Sequence, residues 1–159
     1  MEPTPLQPRR FFSGTWRGDG ELRYRGPLRL LRRPDRFTYL SSVRGTSAAR
    51  WEFEDHFHYR SGLKFEQRFA CEVVDERRLH VTSDDMPGGA DILLSERGYT
   101  FTPYVMRVRS GPFTVQLRCR DVNGVDGSGM IHDRIDMMWL GLPVATMTMD
   151  IHVDRTADG

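Results

Sequence analysis

Lysine is nearly missing from this chain: Lys64 is the one example, and 22 of the 23 basic residues are arginine. Those arginines are spread evenly and are balanced by 22 acidic residues, leaving a net charge of +1. That balance gives no basic excess of the kind that marks a nucleic-acid binder, so the arginines read as solvated strand faces. Cysteine is scarce too. Cys71 and Cys119 are too few for a disulfide framework, and neither has the spacing of a thiolate metal site. Each falls in an alternating apolar run and reads as a buried thiol, with a bridge between neighbouring strands left open. No apolar run approaches the length of a membrane span. The opening residues Met1 to Arg10 hold three prolines and no apolar core of a secretory signal, which predicts a cytoplasmic protein. No segment carries a helical period. There is no Gly-x-Ser-x-Gly elbow and no Gly-x-Gly-x-x-Gly or phosphate loop, so no cofactor is expected.

What is present is alternation with a period of two. A chain of 159 residues, 38% of them hydrophobic, is long enough for one domain with a substantial core. The run from Met130 to Arg155 shows the pattern best. In its first arm Ile131, Ile135, Met137 and Trp139 share a face, with Asp133 among them. In its second arm Ala145, Met147, Met149, Ile151 and Val153 share a face that carries no charge. Gly141-Leu142-Pro143 is a connection short enough to make the two arms antiparallel neighbours.

The same period recurs along the chain. Glycines at 14, 18 and 20 predict a bent strand between Phe11 and Tyr24. Leu28 to Arg33 reads as its continuation. Phe37, Tyr39, Ser41 and Val43 alternate, as do Trp51, Phe53, Asp55, Phe57 and Tyr59, and then Phe65, Gln67, Phe69 and Cys71 across the Ser61-Gly62 turn. Leu79 to Thr82 and Ala90 to Leu94 are short strands joined by a polar loop at Pro87-Gly88-Gly89. Tyr99 to Val108 is one strand, followed by Val115, Leu117 and Cys119. Asp121 to Gly129 reads as a long hairpin end. About nine or ten strands with turns between them predict an all-β antiparallel up-and-down barrel. The predicted organisation is a poorly ordered lead-in over 1–10, the barrel over 11–155 and a frayed tail over 156–159.

Ser13-Gly14-Thr15-Trp16 resembles the Gly-x-Trp start of lipocalin-like (calycin) barrels. That resemblance implies a Trp16 that plugs one end of the barrel and packs near a late arginine, for which Arg155 is the candidate. Glu54-Asp55-His56-Phe57-His58-Tyr59, Gln67-Arg68-Phe69 and Asp136-Met137-Met138 are similar to stretches of an uncharacterised family of small bacterial lipocalin-like proteins, which brings no established activity. The Gly-x-Trp start also resembles nitrobindin, a haem barrel. This chain lacks the Tyr-Pro-Thr motif that follows there, and His152, nearest to that family's haem ligand, falls on a polar face.

A barrel of this size encloses either a packed core or one small ligand. The inward rows are rich in Met and aromatics, which suit an adaptable apolar pocket. The expected ligand-binding residues are Tyr39, Trp51, Phe53, Phe57, Tyr59, Gln67, Phe69, Met137, Trp139, Met147 and Met149. Asp133 and Asp55 interrupt those rows. A carboxylate there is costly unless hydrogen-bonded or protonated, and desolvation raises its pKa toward the range useful for acid/base work. Gln67 and Tyr39 are placed to orient it. A one-residue slip would bring Asp136 inside instead of Asp133, so Asp133, Asp55 and Asp136 are the candidate catalytic residues. His56 and His58 share a face, as zinc ligands can, but their companions are Glu52, Glu54 and Arg60, so no metal is expected. The expected activity is cofactor-independent isomerisation, cyclisation or dehydration of a small hydrophobic molecule, with a carrier or sensor as the alternative and a haem barrel behind both. No nucleic-acid or membrane partner is expected, and a homodimer is left open.

Overall fold

The computed structural model describes residues 14–47 and 49–154. The expected lead-in, the frayed tail and the candidate Arg155 partner of Trp16 lie outside them. Eleven strands account for most of the described residues: β1 (Thr15–Tyr24), β2 (Asp35–Ser47), β3 (Arg50–Tyr59), β4 (Lys64–Asp75), β5 (Arg78–Ser83), β6 (Met86–Ser95), β7 (Gly98–Phe101), β8 (Tyr104–Ser110), β9 (Phe113–Val125), β10 (Ile131–Trp139) and β11 (Leu142–Asp154). They form one antiparallel sheet in the order β10-β11-β1-β2-β3-β4-β5-β6-β7-β9-β8, and β10 also pairs with β9. That last pairing closes ten strands into a barrel, with β8 as an extra strand beside the first half of β9.

The period-two rows behave as the pattern demands. Phe37, Tyr39 and Ser41 are buried on β2 while Arg36, Thr38 and Leu40, which alternate with them, are exposed. One turn ends differently from the expectation. The β10–β11 hairpin turns at Leu140-Gly141, both with positive φ (48° and 81°), and Leu142 and Pro143 already belong to β11. A two-residue turn with both residues at positive φ matches the right-handed twist of its strands.

Three further expectations are corrected. Leu28 to Arg33 is not a strand: Leu28–Leu31 form a one-turn helix, α1, entered from Pro27, whose fixed φ suits a helix start. The Pro87-Gly88-Gly89 loop lies within β6. The single strand expected from Tyr99 to Val108 is broken at Thr102-Pro103 into β7 and β8, because proline cannot donate to a ladder.

β1 pairs with both neighbours without a register shift, and its glycines sit at close approaches. A Cβ on Gly18 would sit 2.4 Å from the Asp150 carbonyl oxygen, and one on Gly20 would sit 2.3 Å from the Phe37 ring. Trp16, buried, meets Phe53 edge-on at one end of the barrel. The register places the β2–β3 and β9–β10 connections at that same end. The opposite end carries α1 and the β3–β4, β8–β9 and β10–β11 turns.

Candidate functional site

The interior is hollow. A cavity of about 780 Å³ runs from Trp16 to the α1 end, where Leu28, Arg32, Leu63, Lys64, Arg109 and Trp139 frame the mouth. Its apolar wall is aromatic on one side, where the tilted rings of Tyr39 and Phe57 lie 5.1 Å apart and those of Phe57 and Phe65 5.8 Å apart. Met137, Met147 and Met149 line the other. Of the expected ligand-binding residues, Tyr39, Phe53, Phe57, Tyr59, Gln67, Phe69, Met137, Trp139, Met147 and Met149 all line the cavity. Trp139 does so from the rim, where it is half exposed. Trp51 is the exception. It is buried beside Gly45 at the closed end and does not reach the cavity wall.

The register settles which aspartates face inward. Asp133 pairs with Met149 on β11 and Asn123 on β9, is 8% exposed, and lines the cavity. Asp136 lies on the outer face, bonded to the Thr146 hydroxyl at 2.8 Å and to Arg134. Desolvation is the largest single influence on the Asp136 carboxyl and raises it, but the bonds from Arg134 and Thr146 and the charges of Arg134 and Arg25 together outweigh it and hold the group below its ordinary value. Asp136 is therefore not brought together with Asp55 and Asp133.

Two rows of polar side chains meet inside the barrel. On one wall Ser41, Asp55 and Gln67 are cross-strand partners on β2, β3 and β4. The Ser41 hydroxyl donates to Asp55 Oδ1 at 2.5 Å, and the Tyr39 hydroxyl also bonds this carboxyl. Gln67 does not orient Asp55; its amide nitrogen donates to Met106 Sδ at 3.0 Å. On the other wall Tyr99, Asn123 and Asp133 are cross-strand partners on β7, β9 and β10. Asp121, two residues along β9 from Asn123, completes this group. The Asn123 amide donates to Asp121 Oδ1 at 2.6 Å, and Tyr104 and Asp133 bond the same carboxyl.

Burial dominates the electrostatics of all three carboxyls. It pushes Asp55 up to about 6, against the opposing bonds from Ser41 and Tyr39. Asp121 and Asp133 are hydrogen-bonded to each other and both are raised, first by desolvation. The Asp121 charge and its bond add to the rise at Asp133. Two carboxyls in such contact hold one proton between them. Tyr99 feels the field of Asp133, Asp121 and Asp55 together, and burial lifts its hydroxyl well above the ordinary tyrosine value. Apart from the proton that Asp121 and Asp133 share, the buried acceptors Asp133 Oδ1 and Asn123 Oδ1 meet no hydrogen-bond donor among the described residues. Unsatisfied acceptors on a cavity wall are costly and suit a guest that brings donors.

Asp121, Asn123, Tyr99 and Tyr104 belong to this site and were not expected in it. Their signal was available. Val115, Leu117, Cys119, Asp121 and Asn123 continue a single alternation, but Asn123-Gly124 reads as a turn and hides the continuation of β9.

The other candidates lie elsewhere. His56 faces Glu54 and Glu66 on the outer surface, His58 is exposed beside it, and His152 is exposed on β11. Among the described residues no group of three or more His, Cys, Asp or Glu is placed to hold a metal ion. Cys71 on β4 and Cys119 on β9 are free and buried on strands that are not neighbours, with burial pushing both thiols up to about 12. Among the described residues no helix is long and apolar enough to cross a membrane.

No family model matches the chain, and no curated protein matches it. Similarity is found among solved structures. A protein of unknown function of the DUF3598 family from Nostoc punctiforme superposes with a TM-score of 0.67 at 17% identity, over 95% of this chain and 51% of that one. This chain thus spans about half the length of that protein. The S-type phycobiliprotein lyase CPES from Guillardia theta superposes with a TM-score of 0.58 at 9% identity, over 95% of this chain and 94% of that one. Rv2717c from Mycobacterium tuberculosis gives 0.57 at 11% identity, over 91% and 94%. At these identities the likeness is one of fold, and it is to lipocalin-like barrels.

Proposed function

We propose that this barrel takes up a small, largely apolar molecule and rearranges it by proton transfer, as a cofactor-independent isomerase, cyclase or lyase. The observation that carries the reading is the placement of Asp55 on one wall of the cavity and the proton-sharing Asp121–Asp133 pair on the other. Near neutral pH the first is largely ionised and can accept a proton. The second holds a proton and can give one. Effective acid/base groups have pKa values near the working pH, and burial supplies that here. An isomerisation needs only this: a C–H proton leaves to Asp55, the electron pair shifts along the molecule, and the pair delivers its proton at the far end. No net proton is consumed. The aromatic and methionine wall holds the body of the molecule in one conformer, which is where such an enzyme gains rate. That a fold neighbour is named a lyase supports a ligand-handling role for this type of barrel.

The alternative is a carrier that binds without conversion. It is favoured by the mainly apolar wall, which holds a guest without any chemistry. The two readings separate by native mass spectrometry of the purified protein, with extraction and chromatography of whatever co-purifies. For an enzyme, Asp55→Asn and Asp133→Asn proteins retain a bound molecule but a different isomer from that on the wild type. Identical molecules on all three proteins indicate a carrier. No bound molecule, and no uptake from a metabolite extract, overturns both.

A further inference from the structure

We propose that the molecule held in the barrel carries a basic nitrogen, protonated at neutral pH, and that this group sits deep in the cavity between Asp55 and the Asp121–Asp133 pair. This rests on the reading that the cavity is a ligand site, and it names the ligand's chemistry. The polar atoms that reach the deep cavity are weighted toward acceptors. Three carboxyl groups line it, and Asn123 turns its amide nitrogen to Asp121 and leaves Oδ1 without a partner. Asp133 Oδ1, on a residue more than nine-tenths buried, likewise meets no donor among the described residues apart from the proton shared with Asp121. The basic residues on the cavity lining are Arg32, Lys64 and Arg109, all exposed and all at the mouth. The basic group whose field reaches Asp55 is His56 on the outer face, the smallest of the influences on that carboxyl.

Even with one proton shared by Asp121 and Asp133, two negative charges remain inside an apolar barrel once Asp55 ionises. Buried charge without a partner is strongly unfavourable. Neutral apolar molecules leave that charge and the orphan Asn123 acceptor as they are, and anionic ones add to the charge. An ammonium or protonated imine places N–H donors against all of them, and charge-assisted hydrogen bonds of this kind are about twice as strong as neutral ones.

The test is a head-group series on one alkyl chain: octylamine, octanol and octanoate, titrated calorimetrically into the wild-type protein and the Asp55→Asn/Asp133→Asn protein at about pH 8. The wild type is expected to bind octylamine about tenfold or more tighter than octanol, and octanoate weakest. In the double variant the amine preference collapses while octanol binding persists, which also shows that the barrel is folded. Octanol binding as tightly as octylamine to the wild type overturns the basic nitrogen and leaves the cavity as a ligand site. So does an amine preference that survives in the variant. If none of the three binds, the ligand-site reading falls as well.

Discussion

Asp55 shows how a single buried carboxyl couples the site to stability. Its pKa rises from 3.8 in the unfolded chain to about 6 in the fold. The folded state therefore holds this proton more tightly, and its contribution is fully present below pH 3.8 and lost as pH climbs through about 6. Between pH 4 and pH 8 the unliganded wild type is expected to lose roughly 2 kcal/mol relative to an Asp55→Asn variant, read from urea unfolding at the two pH values. Using the variant as reference removes His132, whose pKa is also raised, by Asp150 and Asp126. The neighbours facing Asp55, namely Ser41, Tyr39, Tyr99 and the Asp121–Asp133 pair, are present in both proteins. The cysteines give a second check. With Cys71 and Cys119 buried and their thiols pushed up to about 12, neither is expected to react with a thiol reagent until the protein unfolds, whereupon both do. Asp55 and Asp133 were legible because each breaks an apolar row that alternation alone defines. Asp121 and Asn123 were not, because a residue's facing depends on whether its strand continues. Asn-Gly argues locally for a turn, and only pairing with β7 and β10 overrides it.

The elements were legible to the extent that a two-residue period had room to repeat. β2, β3, β4, β10 and β11 are long, and their inward rows were read correctly. Leu28–Leu31 is too short for any period to show, and there Pro27 favours a helical turn within the ten-residue connection 25–34. Pro103 breaks a strand whose side-chain pattern looks continuous, because what it interrupts is a backbone donor and not a side-chain row. β1 is specified by absence of side chains. Gly18 lies against the Asp150 carbonyl and Gly20 beneath the Phe37 ring, so a methyl group at either must push backbone or a packed aromatic aside. Gly18→Ala is expected to cost about 1–3 kcal/mol, measured by urea unfolding. An unchanged midpoint would show that β1 and β11 can part without penalty.

At the scale of the whole molecule, closure of ten strands around a hollow centre makes the site possible. No segment of this sequence could announce the cavity, because its volume is set by how many strands close and how their side chains interdigitate. A guest that binds only the folded barrel stabilises it by mass action, by about 2.7 kcal/mol at a hundredfold excess over its dissociation constant. A compound that fits should therefore raise the melting temperature by several degrees in a thermal scan, and one that does not fit leaves it unchanged. The acidic groups face one another across a buried interior. Carbon-detected NMR titration of the aspartate carboxyls in the unliganded protein tests this arrangement most directly. Asp55 is expected to titrate at about 6, with Asp121 and Asp133 also displaced upward and changing together as a coupled pair. Three independent titrations close to the ordinary aspartate value of about 3.9 would place those carboxyls in contact with water and contradict the account.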